Sequence, residues 1–221
     1  VKIWAGMRRG QSQALDLAML AMFDGIARLR LKPQDGLPHF EAAGLSSVGP
    51  FVVYRRAAGV PLGEGAIDDP ARAAEIIATL GQTIDVLHGL GCTHDDLSPA
   101  NILIDSGEDK DALTIIDLFD LAPPGIGAIR NHAYLPEGWE RLTGQQIDRF
   151  AVVKIARAMV DEAGTDRLPA LDSAISEDLD RTAIETLEPL LIAARQDLDR
   201  VNAPPVPRFV VTSPGLPDGE L

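Results

Sequence analysis

Apolar residues recur every three or four positions over residues 11–30, with Leu15, Met19, Met22, Phe23 and Ile26 on one side, a spacing that predicts an amphipathic helix. A short strand-like stretch at residues 1–4 precedes it, so the chain opens as a strand followed by a helix. Gly36 and Pro38 punctuate a loop, and the β-branched run at 51–54 reads as a second strand that leaves into Ala58-Gly59-Val60-Pro61-Leu62. That stretch predicts a boundary between two lobes. Asp68-Asp69-Pro70 joins a capping carboxylate to an early proline and starts a long helix over 71–90. Its Ile76, Ile77, Leu80, Ile84 and Leu87 form one stripe, and Gly89 and Gly91 end it. Strands at 102–104 and 113–116 flank the polar turn 105–110 as a hairpin. Further helices are predicted at 145–162, 170–179 and 181–201, and no internal repeat is present. Five prolines between Pro204 and Leu221 predict a linker or the beginning of something further.

Composition narrows the class. With 221 residues, 46% hydrophobic and 24% charged, the chain can bury a sizeable core as one domain or two packed lobes, which excludes disorder and fibrous structure. Its net charge of −13 repels nucleic-acid phosphates and anionic lipid, and no basic patch offsets it. The single cysteine, Cys92, supports neither an internal disulfide nor a multi-cysteine metal site, and it has no metal-like spacing with His39, His88 and His132. No apolar stretch reaches the roughly 18 residues of a membrane span, and Arg8-Arg9 is followed by Gln and Ser rather than by a signal-peptide core. A cytoplasmic setting is therefore expected. The opening on Val-Lys-Ile-Trp without Met and the proline-rich close predict a piece of a longer polypeptide, fused to further domains.

The chemistry-bearing residues cluster between the long helix and the hairpin, in His94-Asp95-Asp96-Leu97-Ser98-Pro99-Ala100-Asn101, and immediately after it, in Ile115-Ile116-Asp117-Leu118-Phe119. These residues resemble the protein-kinase superfamily, whose catalytic loop reads His-Arg-Asp-Leu-x-x-x-x-Asn and whose metal-binding loop reads Asp-Phe-Gly. The resemblance extends over about residues 1–200. It implies Asp96 as the catalytic carboxylate, Asn101 and Asp117 as magnesium ligands, and His94 as scaffold beneath the loop. Phosphoryl transfer asks for those groups, because it needs an oriented acceptor hydroxyl and hard oxygen donors for the cation on the phosphates.

Other segments follow the superfamily's order. By the resemblance, Lys2 grips the nucleotide phosphates, Asp16 stands where the family has a pairing glutamate, and Tyr54, Arg55 and Ala57 belong to the hinge that meets adenine, with Tyr54 at the gatekeeper position. Tyr134-Leu135-Pro136-Glu137 is similar to the Ala-Pro-Glu segment, giving Glu137 a structural role, and Asp148 resembles the buried helix aspartate that steadies the catalytic loop. Asp95 departs from the pattern by replacing Arg, Ser98 by replacing a lysine, and Leu118-Phe119 by replacing Phe-Gly. No Ser or Thr lies between Asp117 and Glu137, so with Asp95 in place of Arg a phosphorylation switch in that segment is not expected.

Together these readings predict an α+β, two-lobed, protein-kinase-like fold: a partial small lobe and hinge at 1–58, a mainly helical large lobe at 59–203, and a proline-rich tail at 204–221. The predicted activity is transfer of the γ-phosphoryl of ATP, with Mg2+, to a Ser or Thr hydroxyl of a protein substrate. Two alternatives stay open: a pseudokinase that binds nucleotide or a partner, favoured by Asp95, Ser98 and Phe119, and a small-molecule kinase similar to aminoglycoside or choline phosphotransferases.

Overall fold

The structure, a computed structural model, describes residues 1–64, 67–107, 111–119, 121, 131–181 and 183–204. The tail from 205 onward lies outside them, as does most of the segment between Asp117 and Asn131.

The first unit is a three-stranded antiparallel sheet with one helix against it. Strand β1 (Lys2–Ile3) pairs with β3 (Pro50–Tyr54), Lys2 opposite Val52, and β3 pairs on its other edge with β2 (Phe40–Leu45). Helix α1 (Gln13–Leu31) is capped by Ser12, whose side chain accepts from Leu15 N–H, and it buries Leu15, Met19, Met22, Ile26 and Leu29 at the predicted spacing. Strand β2 is an addition to the sequence pattern, which predicts only a loop before residue 51. Phe-Glu-Ala-Ala-Gly-Leu has little intrinsic strand preference, and its conformation comes from pairing with β3, with a bulge between Phe40 and Ala42.

From Val60 onward a second three-stranded sheet and four helices form the larger unit. Strand β4 (Val60–Pro61) pairs with β5 (Ile102–Ser106), and β5 with β6 (Asp111–Ile115), so the predicted hairpin gains a third strand. Helix α2 (Pro70–Gly89), capped by Asp69, is its axis: Ala73, Ala74, Ile77, Leu80, Ile84 and Leu87 are fully buried. It packs against β6, α3 (Gly144–Ala163) and α5 (Glu188–Asn202), while α4 (Pro169–Leu179) bridges α3 and α5. A capping box from Thr143 and Gln146 fixes the start of α3. The last helix begins at Glu188 rather than at residue 181, because Pro189 is seated in its first turn. No helix among the described residues is long and apolar enough to cross a membrane.

Candidate active site

Two loops, one after α2 and one after β6, are held to each other and to α3 by buried hydrogen bonds. Asp148, in the second turn of α3, is completely buried and accepts from the backbone N–H of His94 and of Asp95, each at 2.8 Å. The Nε2 of His88, on α2, completes its shell at 3.0 Å. A buried carboxylate is costly unless donors surround it, and Asp148 has them from the very backbone it positions.

His94, also buried, joins the two loops. Its Nε2–H donates to the carbonyl of Ile116 at 2.9 Å, and its Nδ1 accepts from the N–H of Asp96 at 3.3 Å, an arrangement that fixes the tautomer. The residue before Asp117 is thereby tied to Asp96. Asn101, at the end of a single 3-10 turn (Pro99–Asn101), donates its amide to the Asp96 carbonyl at 3.0 Å, and its own carbonyl accepts from Ile116 N–H at 2.8 Å. The Asp96 carboxylate accepts from Asn131 N–H at 2.7 Å.

Backbone strain gathers in the same place. Asp95, Asp117 and Phe119 have φ of 64°, 60° and 67°, and they are the non-glycine residues of positive φ among those described. Each such residue costs on the order of 1–3 kcal/mol and persists only where its surroundings enforce it. For Asp95 the enforcement is visible. The N–H groups of His94 and of Asp95 itself go to Asp148, and its side chain accepts from the Thr93 hydroxyl at 3.0 Å. It also packs so close to α3 that a Cβ on Gly144 would collide with its Oδ1. That side chain turns toward α3, while the carboxylate of Asp96 turns to Asn131.

From strand β1, the ammonium of Lys2 lies 2.6 Å from Asp117 Oδ1 and 5.1 Å from the centre of the Trp4 ring. Asp16 does not join them. Its carboxylate accepts from Gly10 N–H at 2.9 Å in the turn that precedes α1, because its position in the first turn of the helix keeps it with that turn. Tyr54, Arg55 and Ala57 line a cleft with Leu37, Thr114, Ile116 and Asp117. Tyr54 meets Phe40 edge-on at 6.3 Å, and Arg55 N–H is occupied by the His39 carbonyl at 2.9 Å, so its main chain extends the sheet instead of offering a free donor to a base. Glu137 is exposed in a turn and makes no side-chain hydrogen bond or ion pair among the described residues. Tyr134, half-buried, packs against the core, and burial pushes its phenol above the ordinary value.

Sequence reasoning missed three participants. Asn131 holds Asp96 through its main chain, which leaves no trace in residue type. Phe40 stacks at 6.0 Å on Phe119, hidden because β2 itself was missed. Gly25, a glycine in mid-helix, was the one visible signal: a Cβ there would fall 2.7 Å from the Phe119 ring.

The donor set fits a hard divalent cation on nucleotide phosphates. Asn101 and Asp117 offer oxygens at the ends of neighbouring strands, and Lys2 offers a cation at the same spot. No cluster of three or more His, Cys, Asp or Glu suited to an all-protein metal cage occurs among the described residues. Magnesium is held in that way, by one or two protein oxygens with phosphates and water completing its shell.

Comparisons with known proteins bear on the architecture that carries these residues. The sequence profile of the lipopolysaccharide kinase (Kdo/WaaP) family matches residues 64–121, which run from just before α2 through both loops. A single mutant of the kinase domain of Mycobacterium tuberculosis PknI superposes with a TM-score of 0.64 at 15% identity over 84% of this chain and 82% of that one. A double mutant of the same domain gives 0.58 at 15% identity over 85% and 82%. No curated protein sequence matches the chain. The likeness is one of architecture: the chain has the protein-kinase-like fold.

Proposed function

We propose, proceeding from the protein-kinase-like fold, that this chain transfers the γ-phosphoryl of ATP to a hydroxyl acceptor, with a protein Ser or Thr as the acceptor. The observation that carries the reading is that a single buried imidazole, His94, ties Asp96 to the carbonyl of Ile116, the residue before Asp117, while Lys2 pairs with Asp117 itself. In this reading Asp96 orients the acceptor hydroxyl and takes its proton as the new oxygen–phosphorus bond forms and the bond to the β-phosphate oxygen breaks. Lys2 neutralises phosphate charge, and Asn101 and Asp117 hold magnesium, which when bound offsets the charge on the transferred group. Tyr54 and Ala57 border the base.

A second acceptor class has its own support. The matching family profile is that of lipopolysaccharide kinases, which favours a sugar hydroxyl. Incubating the full-length protein with labelled ATP and magnesium, in parallel with a Ser/Thr-rich protein acceptor and with lipopolysaccharide core oligosaccharide, separates the two. Label on protein, removed by Asp96→Asn, supports the first reading; label on sugar supports the second; no label on either, with nucleotide still bound, leaves a binding module.

A further inference from the structure

We infer that Phe119 is a positioning residue: seated in a notch that Gly25 opens in α1, it locks the Asp117 loop and α1 into one arrangement. The inference rests on the proposed role of Asp117 as a magnesium ligand and adds to it the device that keeps Asp117 in place.

Three locally unfavourable features converge on this contact. Glycine in a helix interior is entropically poor, yet Gly25 sits in the middle of α1, between the buried Met22 and Ile26. A Cβ at that position would fall 2.7 Å from Cζ of Phe119 and 2.8 Å from its Cε1, closer than a Cβ comes to another heavy atom, and a tight 3.2 Å from the Cys92 sulfur. Phe119 itself takes a φ of 67° and Asp117 one of 60°, a backbone that a bulky side chain avoids unless packing holds it. The packing is present. The Phe119 ring lies against the Gly25 notch on one side and tilts onto Phe40 at 6.0 Å on another, and Phe40 continues edge-on to Tyr54 at 6.3 Å. A row of aromatic rings thus runs from the cleft wall to the Asp117 loop and ends in α1.

One turn beyond the notch, Arg28 donates to the Leu90 carbonyl at 3.0 Å, at the end of α2, so α1 is fastened to the larger unit at the notch and again beyond it. Phe119 fills the position at which a glycine would let the loop turn over. With the ring wedged, residues 117–119 have one seat, and Asp117 faces Lys2 from it.

Two readouts test this on the full-length protein with Gly25→Ala, Phe119→Gly and the double variant. The first needs no nucleotide: Cys92, the single cysteine, is buried beside the notch, and Phe119→Gly should speed its reaction with a thiol reagent by about tenfold or more. The second is affinity for ATP with and without magnesium. Gly25→Ala should weaken magnesium-dependent binding by about tenfold while leaving metal-free binding unchanged, and it should cost nothing further once Phe119 is already Gly. Thermal melts confirm that each variant folds. A Cys92 rate unchanged in Phe119→Gly, or a Gly25→Ala penalty of equal size in both backgrounds, overturns the lock. If Cys92 responds but the unaltered protein shows no magnesium-dependent binding, the lock stands and the functional reading of Asp117 falls.

Discussion

The Asp96 loop and the Lys2 strand both make contact with the loop after β6, the first at Ile116 and the second at Asp117, and they are built in opposite ways. The first is set by interior chemistry: Asp148, fully buried, takes two backbone N–H groups of the loop, and His94 ties it to the carbonyl of Ile116. The second is a strand of two residues whose lysine reaches a half-exposed Asp117. A loop specified by buried hydrogen bonds is rigid before any ligand arrives, whereas a surface ion pair contributes about 1 kcal/mol or less and yields readily to a competing anion. Under the proposed function, the contrast suits a site in which the acceptor-orienting group is fixed and the phosphate-gripping group exchanges partners.

Breaking the rigid side has the largest expected effect. Asp148→Ala strands the N–H groups of His94 and Asp95 and should cost about 3 kcal/mol of stability in denaturant titration, with loss of any turnover. On the other side, Lys2→Met should leave the denaturation midpoint nearly unchanged yet reduce kcat/KM on the order of 10²-fold, a split that a shared structural role would not produce. Equal stability losses in the two variants would erase the contrast.

Buried carboxylates sharpen it further. Asp178, in α4, is as deeply buried as Asp148, but among the described residues its side chain has only Arg181, at 3.0 Å, and one oxygen without a partner. Burial raises its carboxyl above the ordinary aspartate value, with Arg181 opposing. A raised carboxyl contributes stability below the unfolded value and loses it as pH climbs through the folded one, so the native state should weaken over that range and then level off. Asp178→Asn should remove this slope and stabilise the neutral-pH protein by a few tenths to about 1 kcal/mol, read from melts across pH. Smallest of all, Asp16→Asn should leave nucleotide affinity within about twofold, because its partner is the Gly10 N–H and not Lys2.

What the sequence disclosed follows the range of the interactions. The long helices were legible because apolar spacing and caps are local, as at Asp69-Pro70. His94, Asp96, Asn101 and Asp117 stood out because a short loop and a hairpin fix their spacing along the chain. Strand β2 was hidden, since Ala42, Ala43 and Gly44 become a strand only beside β3, and the start of α5 was misplaced although Pro189 marked it. Asp16 was assigned a partner on sequence order alone, and its place in the first helical turn gave it another. Gly25 carried a signal that composition could not decode, because its reason is a ring 94 positions further along the chain.

The most direct test of the account compares Asp96→Asn and Asp117→Ala in the full-length protein, measuring magnesium-dependent ATP affinity and phosphoryl transfer in the same preparations. The account predicts that Asp96→Asn keeps nucleotide affinity while turnover falls about 10²–10⁴-fold, and that Asp117→Ala loses the magnesium-dependent part of binding itself. Magnesium-dependent affinity unchanged in Asp117→Ala, or transfer undiminished in Asp96→Asn, would contradict it.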